Sequence, residues 1–318
     1  MTPAQLRAFA AIARTGSVGG AARSLEVTDA AVSGHVAALR RELGDELFRR
    51  TASGLAFTPG GLRLATRAVE MLGLQDRTRQ EVQAAAQGRR TLRIASSALF
   101  AEYAAPGLIE LFSSRAADLQ VELSIEPPRR FASLLASQVV DVTIGPPSAT
   151  TPPGVAVTPF LRYQVMIVAA PGHPLAGRKV ATPELAVQDW FLGPSAAQSE
   201  GVTRYVLDTL QVPEARQRIF QSHAAALEEV RRGTGLALAL GFAVRADLEA
   251  GRLARIASAA SWVDATWNAS TLNAERVAAP AAELIRFITT PRATQAMLSG
   301  SGAGVHRFRP SVHITLWR

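Results

Sequence analysis

The stretch from Ser17 to Gly61 constrains this chain more than any other part of it. Apolar residues fall at Ala21, Ala22, Leu25, Val27, Ala31, Val32, Val36, Leu39, Leu43, Leu47 and Phe48, mostly in steps of three or four. That spacing predicts two short helices, each with one buried face. Thr28 is placed to cap the second helix, because its hydroxyl can accept an amide of the first turn, and Gly44 suits the helix exit. Upstream, Pro3 to Arg14 predicts a helix that packs Leu6, Phe9, Ala10 and Ile12 on the pair, with Pro3 tolerated where amides lack helical partners. Downstream, Arg49 and Arg50 open a basic hairpin that ends at Phe57 to Gly61, where a new helix begins. Periodicity alone suits an ordinary helical hairpin as well as it suits a helix laid in a DNA major groove.

The motifs decide between the two. AARSL at Ala21 to Leu25, AVSGHV at Ala31 to Val36, LRRELGDELFRR at Leu39 to Arg50 and FTPGG at Phe57 to Gly61 resemble the N-terminal domain of LysR-type transcriptional regulators. The resemblance implies an α/β protein in three parts. These are a winged helix-turn-helix over residues 1–58, a dimerising linker helix over 59–88, and a two-lobed effector domain like a periplasmic binding protein over 91–298. It further implies a bacterial regulator that binds double-stranded DNA at an inverted-repeat operator as a homodimer or homotetramer, acts indirectly on RNA polymerase, and answers to a small-molecule effector.

Carried onto this sequence, the DNA-facing set is Ser17, Thr28, Asp29, Ala30, Ser33, Gly34, His35, Arg40, Arg49, Arg50 and Ser53, with Arg41 nearby. Several of these depart from the family. Asp29 stands where Gln is common and Ala30 where Pro often follows. Gly34 and Ala37 replace common basic residues, and Ser53 and Ala56 replace wing arginines. The surface is short of donors, and Asp29 repels phosphate while offering an acceptor to a cytosine amino group. The expectation is specific but weak DNA binding; the alternative is a ligand-binding dimer whose head has a weakened or silent DNA affinity.

Charge agrees with a nucleic-acid partner without proving one. The net charge is +8 over 318 residues, with Lys179 the single lysine among 34 basic side chains. Residues 1–90 hold 13 Arg against 8 acids, leaving 21 basic and 18 acidic residues for the remainder, so net +5 sits at the head and +3 elsewhere. Cysteine is absent, which excludes disulfides, thiolate metal sites and thiol redox sensing. No apolar run approaches the roughly 20 residues of a membrane span, and the expected location is the cytoplasm.

From Thr58 to Gln87, Leu64, Ala68, Met71, Gln75, Thr78, Val82 and Ala85 alternate in steps of four and three. This heptad seam predicts a helix about 45 Å long that pairs with its mate. A helix lying along its own C-terminal domain is the alternative.

Beyond Arg90, strands are expected at Leu92 to Ala95, Val121 to Ile125, Val142 to Gly145, Val165 to Ala169, Trp190 to Leu192, Leu236 to Leu240 and Ser270 to Asn273. Helices are expected at Ala104 to Ser114, Phe131 to Ser137, Val202 to Leu210 and Ala224 to Arg232. Such alternation implies parallel sheets covered by helices. The segments LRIASSALF, VVDVTIGPP, APGHPLAG and EEVRRGTGLALAL resemble the effector domain of the same family, with lobe I at 91–163 and 267–298 and lobe II at 164–266. Crossings near Leu161 to Gln164 and Trp262 to Trp267 then form a hinge with a cleft. The expected effector residues are Ser96, Ser97, Gly145, Pro146, Ser199, Thr203, Arg204 and Ser222, at strand ends and helix starts where amides are unpaired. Ser97 sits where the family usually has a ligand-contacting hydroxyl. An organic acid is the expected effector class, although QSEGVTR, with Glu200 intruding, weakens anion binding there. Serines and threonines at helix starts also serve as plain caps, and Arg204 as a surface charge.

Five histidines at 35, 173, 223, 306 and 313 show no metal-ligand spacing, and no GxSxG or Walker motif occurs. No enzyme activity, metal or cofactor is therefore expected. Gly300, Gly302 and Gly304 suggest a flexible joint before Val312 to Trp317, whose alternation suits a strand.

Overall fold

A computed structural model describes residues 1–51, 54–86, 88–148, 150–198, 201–233, 235–258 and 262–299. The chain separates into two compact units, one holding Met1–Gln87 and the other most of the remainder. The tail readings at Gly300 to Gly304 and Val312 to Trp317 lie outside the described residues, as do Ser53, Ser199 and Glu200.

In the first unit, α1 (Pro3–Thr15), α2 (Val18–Leu25) and α3 (Asp29–Leu43) precede the wing strands β1 (Phe48–Thr51) and β2 (Gly54–Phe57). Each helix starts on a hydroxyl. Thr2, Ser17 and Thr28 accept the amides of Gln5, Gly20 and Ala31 at 3.3, 3.0 and 3.2 Å, each satisfying one orphan donor. Gly16 and Gly44 close α1 and α3 in the left-handed conformation. The apolar faces meet in a core of Leu6, Phe9, Ile12, Ala21, Val32, Val36 and Leu39, all buried. Phe9, Phe48 and Phe57 join the wing to it, with ring centroids 5.7 to 6.2 Å apart.

The linker helix α4 (Pro59–Ala86) begins against the wing. A Cβ on Gly61 would lie 1.9 Å from the Leu47 carbonyl oxygen, so only glycine permits this approach. The expected seam needs one correction. Leu64 and Ala68 are buried in the head's own core, whereas Met71 and Val82 are exposed, so the first two seam positions serve the head. Exposed Leu62, Val69 and Leu74 widen the unpartnered apolar surface beyond the expected seam.

The second unit opens with β3 (Arg90–Ser96), α5 (Ala98–Tyr103), α6 (Ala105–Ser113), β4 (Leu119–Ile125), α7 (Phe131–Ala136) and β5 (Val142–Gly145). Next come β6 (Val155–Ala169), β7 (Lys179–Val180), α8 (Thr182–Ala186), β8 (Trp190–Leu192), α9 (Val202–Thr209), β9 (Gln217–Ile219), α10 (His223–Arg232) and β10 (Leu236–Leu240). Last are α11 (Gly241–Glu249), β11 (Ala254–Arg255), β12 (Ala257–Ser258), β13 (Trp262–Leu272), α12 (Ala279–Ile288) and α13 (Pro291–Ser299).

The sheet order is β4-β3-β5-β13-β6-β10-β8-β9, with β11 beside β6. Here the structure corrects the expectation of parallel sheets. The trios β4-β3-β5 and β10-β8-β9 are parallel, but β13 and β6 pair antiparallel with each other and with β5 and β10 respectively. Both crossing strands are also much longer than expected, at 15 and 11 residues. A strand that belongs to two lobes must run through both, and its polar residues between them hide the continuity from a hydrophobicity pattern. Pairing runs from Trp262 opposite Met166 to Leu272 opposite Val155, with a register shift at Trp267 and Asn268. The bulge falls where the two lobes part. Buried Ile94, Phe100, Leu108, Ile144 and Trp267 pack in one lobe; Ile167, Leu185, Trp190, Leu207 and Leu236 pack in the other.

Candidate DNA-reading surface and effector cleft

Caps and charges set the reading surface. Ser17 and Thr28 act as caps, and Asp29, Ala30, Ser33 and Gly34 are exposed along the start of α3, with His35 half-buried. An open groove of about 580 Å³ runs between α3 and the wing, flanked by Ser33, Arg49 and Arg50. Arg40 departs from its expected role as a phosphate contact. Its Nε and Nη2 donate to the carbonyls of Glu46 and Phe48, both at 2.7 Å, and its guanidinium lies 4.7 Å from the Phe48 ring centroid. It therefore positions the wing with two of its donors, while its side chain also lines the groove. Arg49 pairs with Glu46 at 2.5 Å, both well exposed, a contact that solvent screens and phosphate can replace. Asp45 fixes the wing's entry by accepting from the Leu47 amide and the Thr58 hydroxyl, which hold its carboxyl below the usual range.

Two adjoining cavities lie at the strand ends of the second unit. The larger, about 350 Å³, is lined by Gly145, Pro146, Thr143, Asn268 and Ser270, by the apolar Phe131, Leu135, Val155 and Val157, and by Arg129. Arg129 is exposed and makes no ion pair among the described residues. The smaller, about 30 Å³, is lined by Ser97, Tyr163, Ser195, Gln198, Thr203 and Trp267. Pro146 and Gly201 line both. Trp267 is wholly buried beneath them, 4.3 Å from Tyr163 and 5.1 Å from Phe100 between ring centroids.

Ser97, at 6 % exposure, begins α5 but makes no cap hydrogen bond, and its Oγ has no partner. A buried hydroxyl left unsatisfied costs about 1–3 kcal/mol, and Ser97 lines the smaller cavity, where a polar group can reach it. Ser96 is fully buried, also unpartnered, and lines neither cavity. Two further expectations are corrected. Arg204 is bound to Asp208 one turn along α9, and Ser222 caps α10 through the Ala225 amide at 3.1 Å; neither is among the described residues that line these two cavities.

Thr203 leads to a buried chain. Its Oγ1 lies 2.9 Å from Ser195 Oγ, which lies 2.8 Å from His223 Nε2, and His223 Nδ1 lies 2.8 Å from Glu102 Oε2. The amides of His223 and Ala224 also donate to Glu102, at 2.9 and 2.6 Å, so a carboxylate from α5 caps α10 across the cleft. Burial raises the Glu102 carboxyl, but His223 and these amides overcome it and hold the group below its ordinary value. Gly193 makes room for the imidazole, since a Cβ there would lie 2.3 Å from His223 Cδ2. The atom order resembles a hydrolase triad, yet Ser195 is shared with Thr203 and the adjoining 30 Å³ has no room for an acyl group. His173 lies in the GHPL turn, where Nδ1 accepts from the Leu175 amide at 3.2 Å, a structural role.

Of the expected effector residues, Ser97, Gly145, Pro146 and Thr203 reach the cavities. Arg129, Asn268, Glu102, Ser195 and His223 were not anticipated. The PPRR run at Pro127 to Arg130 carries a local signal for Arg129. The Glu102–His223 pair is separated by 121 positions and carries none.

An exposed helix-turn-helix and wing, joined in one chain to a two-lobed domain with a ligand-sized cleft, define a DNA-binding regulator with a ligand sensor. Residues 3–62 match the profile of the bacterial regulatory helix-turn-helix protein, lysR family, and residues 85–291 match the LysR substrate binding domain. An uncharacterized HTH-type transcriptional regulator of Mycobacterium tuberculosis is 55% identical over 320 residues, covering 100% of each chain. The RuBisCO operon transcriptional regulator of Allochromatium vinosum is 28% identical over 254 residues, covering 78% of this chain and 82% of that one. Among solved structures, ArgP from Mycobacterium tuberculosis has a TM-score of 0.57 at 19% identity, covering 94% of this chain and 97% of that one. Full-length CbnR complexed with its target DNA has a TM-score of 0.56 at 19% identity, covering 91% and 100%; these two likenesses concern the fold. The chain belongs to the LysR family of transcriptional regulators. It is a regulator and not an enzyme, with a helix-turn-helix DNA-binding part and a substrate-binding part.

Proposed function

We propose that this regulator binds an inverted-repeat operator as a cytoplasmic homodimer paired through α4, acts indirectly on RNA polymerase, and changes its DNA binding when an organic acid occupies the cleft. The exposed apolar side chains of α4, Leu62, Val69, Met71, Leu74 and Val82, supply a seam that water leaves unfavourable. The observation that carries the effector reading is the pairing of an uncommitted cation with an unsatisfied hydroxyl. Arg129 stands at the wall of the larger cavity, apolar residues line its body, and the free Ser97 hydroxyl lies in the smaller one. Such a cleft takes a carboxylate on Arg129 and an apolar body of modest size. A ligand that favours one lobe arrangement shifts the population of the regulator's DNA-binding states.

The test is calorimetric titration of the full chain and of Arg129→Gln with small organic acids, beside gel shifts with and without each acid. Binding that disappears in Arg129→Gln is expected; acids that bind both proteins equally exclude this cleft. A second reading, a ligand-binding dimer with a silent head, is favoured by Asp29, Gly34 and Ala37 on exposed α3, where donors are scarce. Genome-wide binding at low salt that finds no enriched sites selects it.

A further inference from the structure

We infer that the small cavity beside Thr203 receives one hydroxyl group of the effector, because the Ser195 and Thr203 hydroxyls on its lobe II side turn only lone pairs to a ligand, which makes the effector a hydroxy acid. The inference rests on the cleft being the organic-acid site proposed above.

The direction of each hydrogen bond follows from Glu102. Its carboxylate receives the His223 amide, the Ala224 amide and His223 Nδ1, and an ionised carboxylate has no proton to return. The imidazole proton therefore sits on Nδ1. In the neutral ring Nε2 is then an acceptor, so Ser195 Oγ, 2.8 Å away, donates to it. The single proton of Ser195 is spent, and Thr203 Oγ1, 2.9 Å away, donates to Ser195 in turn. Two hydroxyls of the cavity wall are left with lone pairs alone. The charged group facing the ring is Glu102; Tyr103, also from α5, lies 6.2 Å from it between centroids, and burial keeps its phenol protonated.

The opposite wall carries the unspent proton. Ser97 Oγ, buried and without a partner, can donate into the cavity. The space of about 30 Å³ suits one water-sized group. A ligand hydroxyl satisfies both walls, donating toward Thr203 and accepting from Ser97. A carboxylate is too large and meets the lone pairs of Ser195 and Thr203. It is directed instead to Arg129 in the larger cavity, which adjoins through Pro146 and Gly201.

The near-isosteric substitution Thr203→Val removes the terminal acceptor of the relay and leaves Glu102, His223 and Ser195 in place. Long-range proton–nitrogen spectra of the full chain, assigned among the five histidines by single substitutions, report the tautomer without any ligand. At neutral to mildly alkaline pH the Nδ1–H form is expected in the wild type and in Thr203→Val. An Nε2–H or doubly protonated His223 in the wild type overturns the inference whatever binds.

The ligand arm titrates phenylacetate against its meta- and para-hydroxy derivatives, and hexanoate against its terminally hydroxylated analogue. In the wild type, at least one hydroxy acid should bind about tenfold more tightly than its parent, and Thr203→Val should reduce that preference to about twofold or less. Equal affinities within every pair overturn the hydroxyl pocket and leave the acid site standing. Absence of binding by every acid removes the acid site, and the hydroxyl pocket with it.

Discussion

The reading head and the effector cleft handle their polar side chains in opposite ways. In the head, hydroxyls are spent within three residues of their own position, as Thr2, Ser17 and Thr28 are on the first turns of their helices. Groups left for DNA lie on an exposed surface. In the cleft, polar groups are buried, their partners lie far away in sequence, and Ser97 has none. A nucleic-acid surface tolerates this economy because water satisfies its donors until phosphate replaces it. A ligand cavity needs pre-set donors and acceptors, and it stores them as unsatisfied or directed hydrogen bonds.

The largest expected effect tests how far the cleft depends on its floor. Trp267→Ala removes a fully buried indole that contacts Phe100 and Tyr163, and should destabilise the protein by about 3–5 kcal/mol. Denaturant unfolding followed by tyrosine and residual tryptophan fluorescence measures it. A loss below about 1 kcal/mol means that the lobes repack without their shared ring.

Next come two arginines of the head that sequence treats alike. Arg50 is exposed and should contact phosphate, so Arg50→Ala should weaken operator binding about tenfold and reduce the salt slope by about one. Arg40 directs two of its donors at the wing carbonyls, so Arg40→Ala should lower stability by about 1–2 kcal/mol and change the slope less than Arg50→Ala does. Gel shifts across a salt series separate them, and equal slope changes would return Arg40 to the interface.

That contrast shows what was legible. Helices, caps, wing and the scaffold positions Ala21, Val32, Val36 and Leu39 could be read because their determinants are local and periodic. Short core strands such as Val142–Gly145 and Trp190–Leu192 were legible for the same reason. The full extent of β6 and β13 was not, since Thr158, Arg162, Asp264 and Thr266 break the continuous apolar runs by which the short core strands were placed, even though polar and apolar residues alternate there as in a half-buried strand. In the cleft, Ser97 and Thr203 were reachable through a motif at a helix start. Their chemistry was not, because it depends on Glu102 and His223 meeting through the fold.

Acid should affect the cleft clasp in a predictable direction. The folded-state pKa of Glu102 is depressed below its ordinary 4.5, so its contribution to stability is fully present above that value and is lost as pH falls through the folded one. Thermal unfolding between pH 6 and pH 3, both chosen to bracket roughly this carboxylate range, should show a steeper loss for the wild type than for Glu102→Gln. Parallel curves would mean that the clasp adds nothing to the lobe contact.

The smallest effect sets two helix-start hydroxyls against each other. Thr28 accepts the Ala31 amide, so Thr28→Ala should cost about 1 kcal/mol, the ordinary value of a lost cap. Ser97 occupies the same position on α5 yet caps nothing, and its oxygen is buried without a partner. Removing an unsatisfied buried hydroxyl relieves its desolvation cost, so Ser97→Ala should leave stability unchanged or raise it by up to about 1 kcal/mol while weakening effector binding. Paired denaturation curves measure both signs. A destabilised Ser97→Ala protein would mean that the hydroxyl already serves the fold, and the difference between head and cleft would shrink to one of burial.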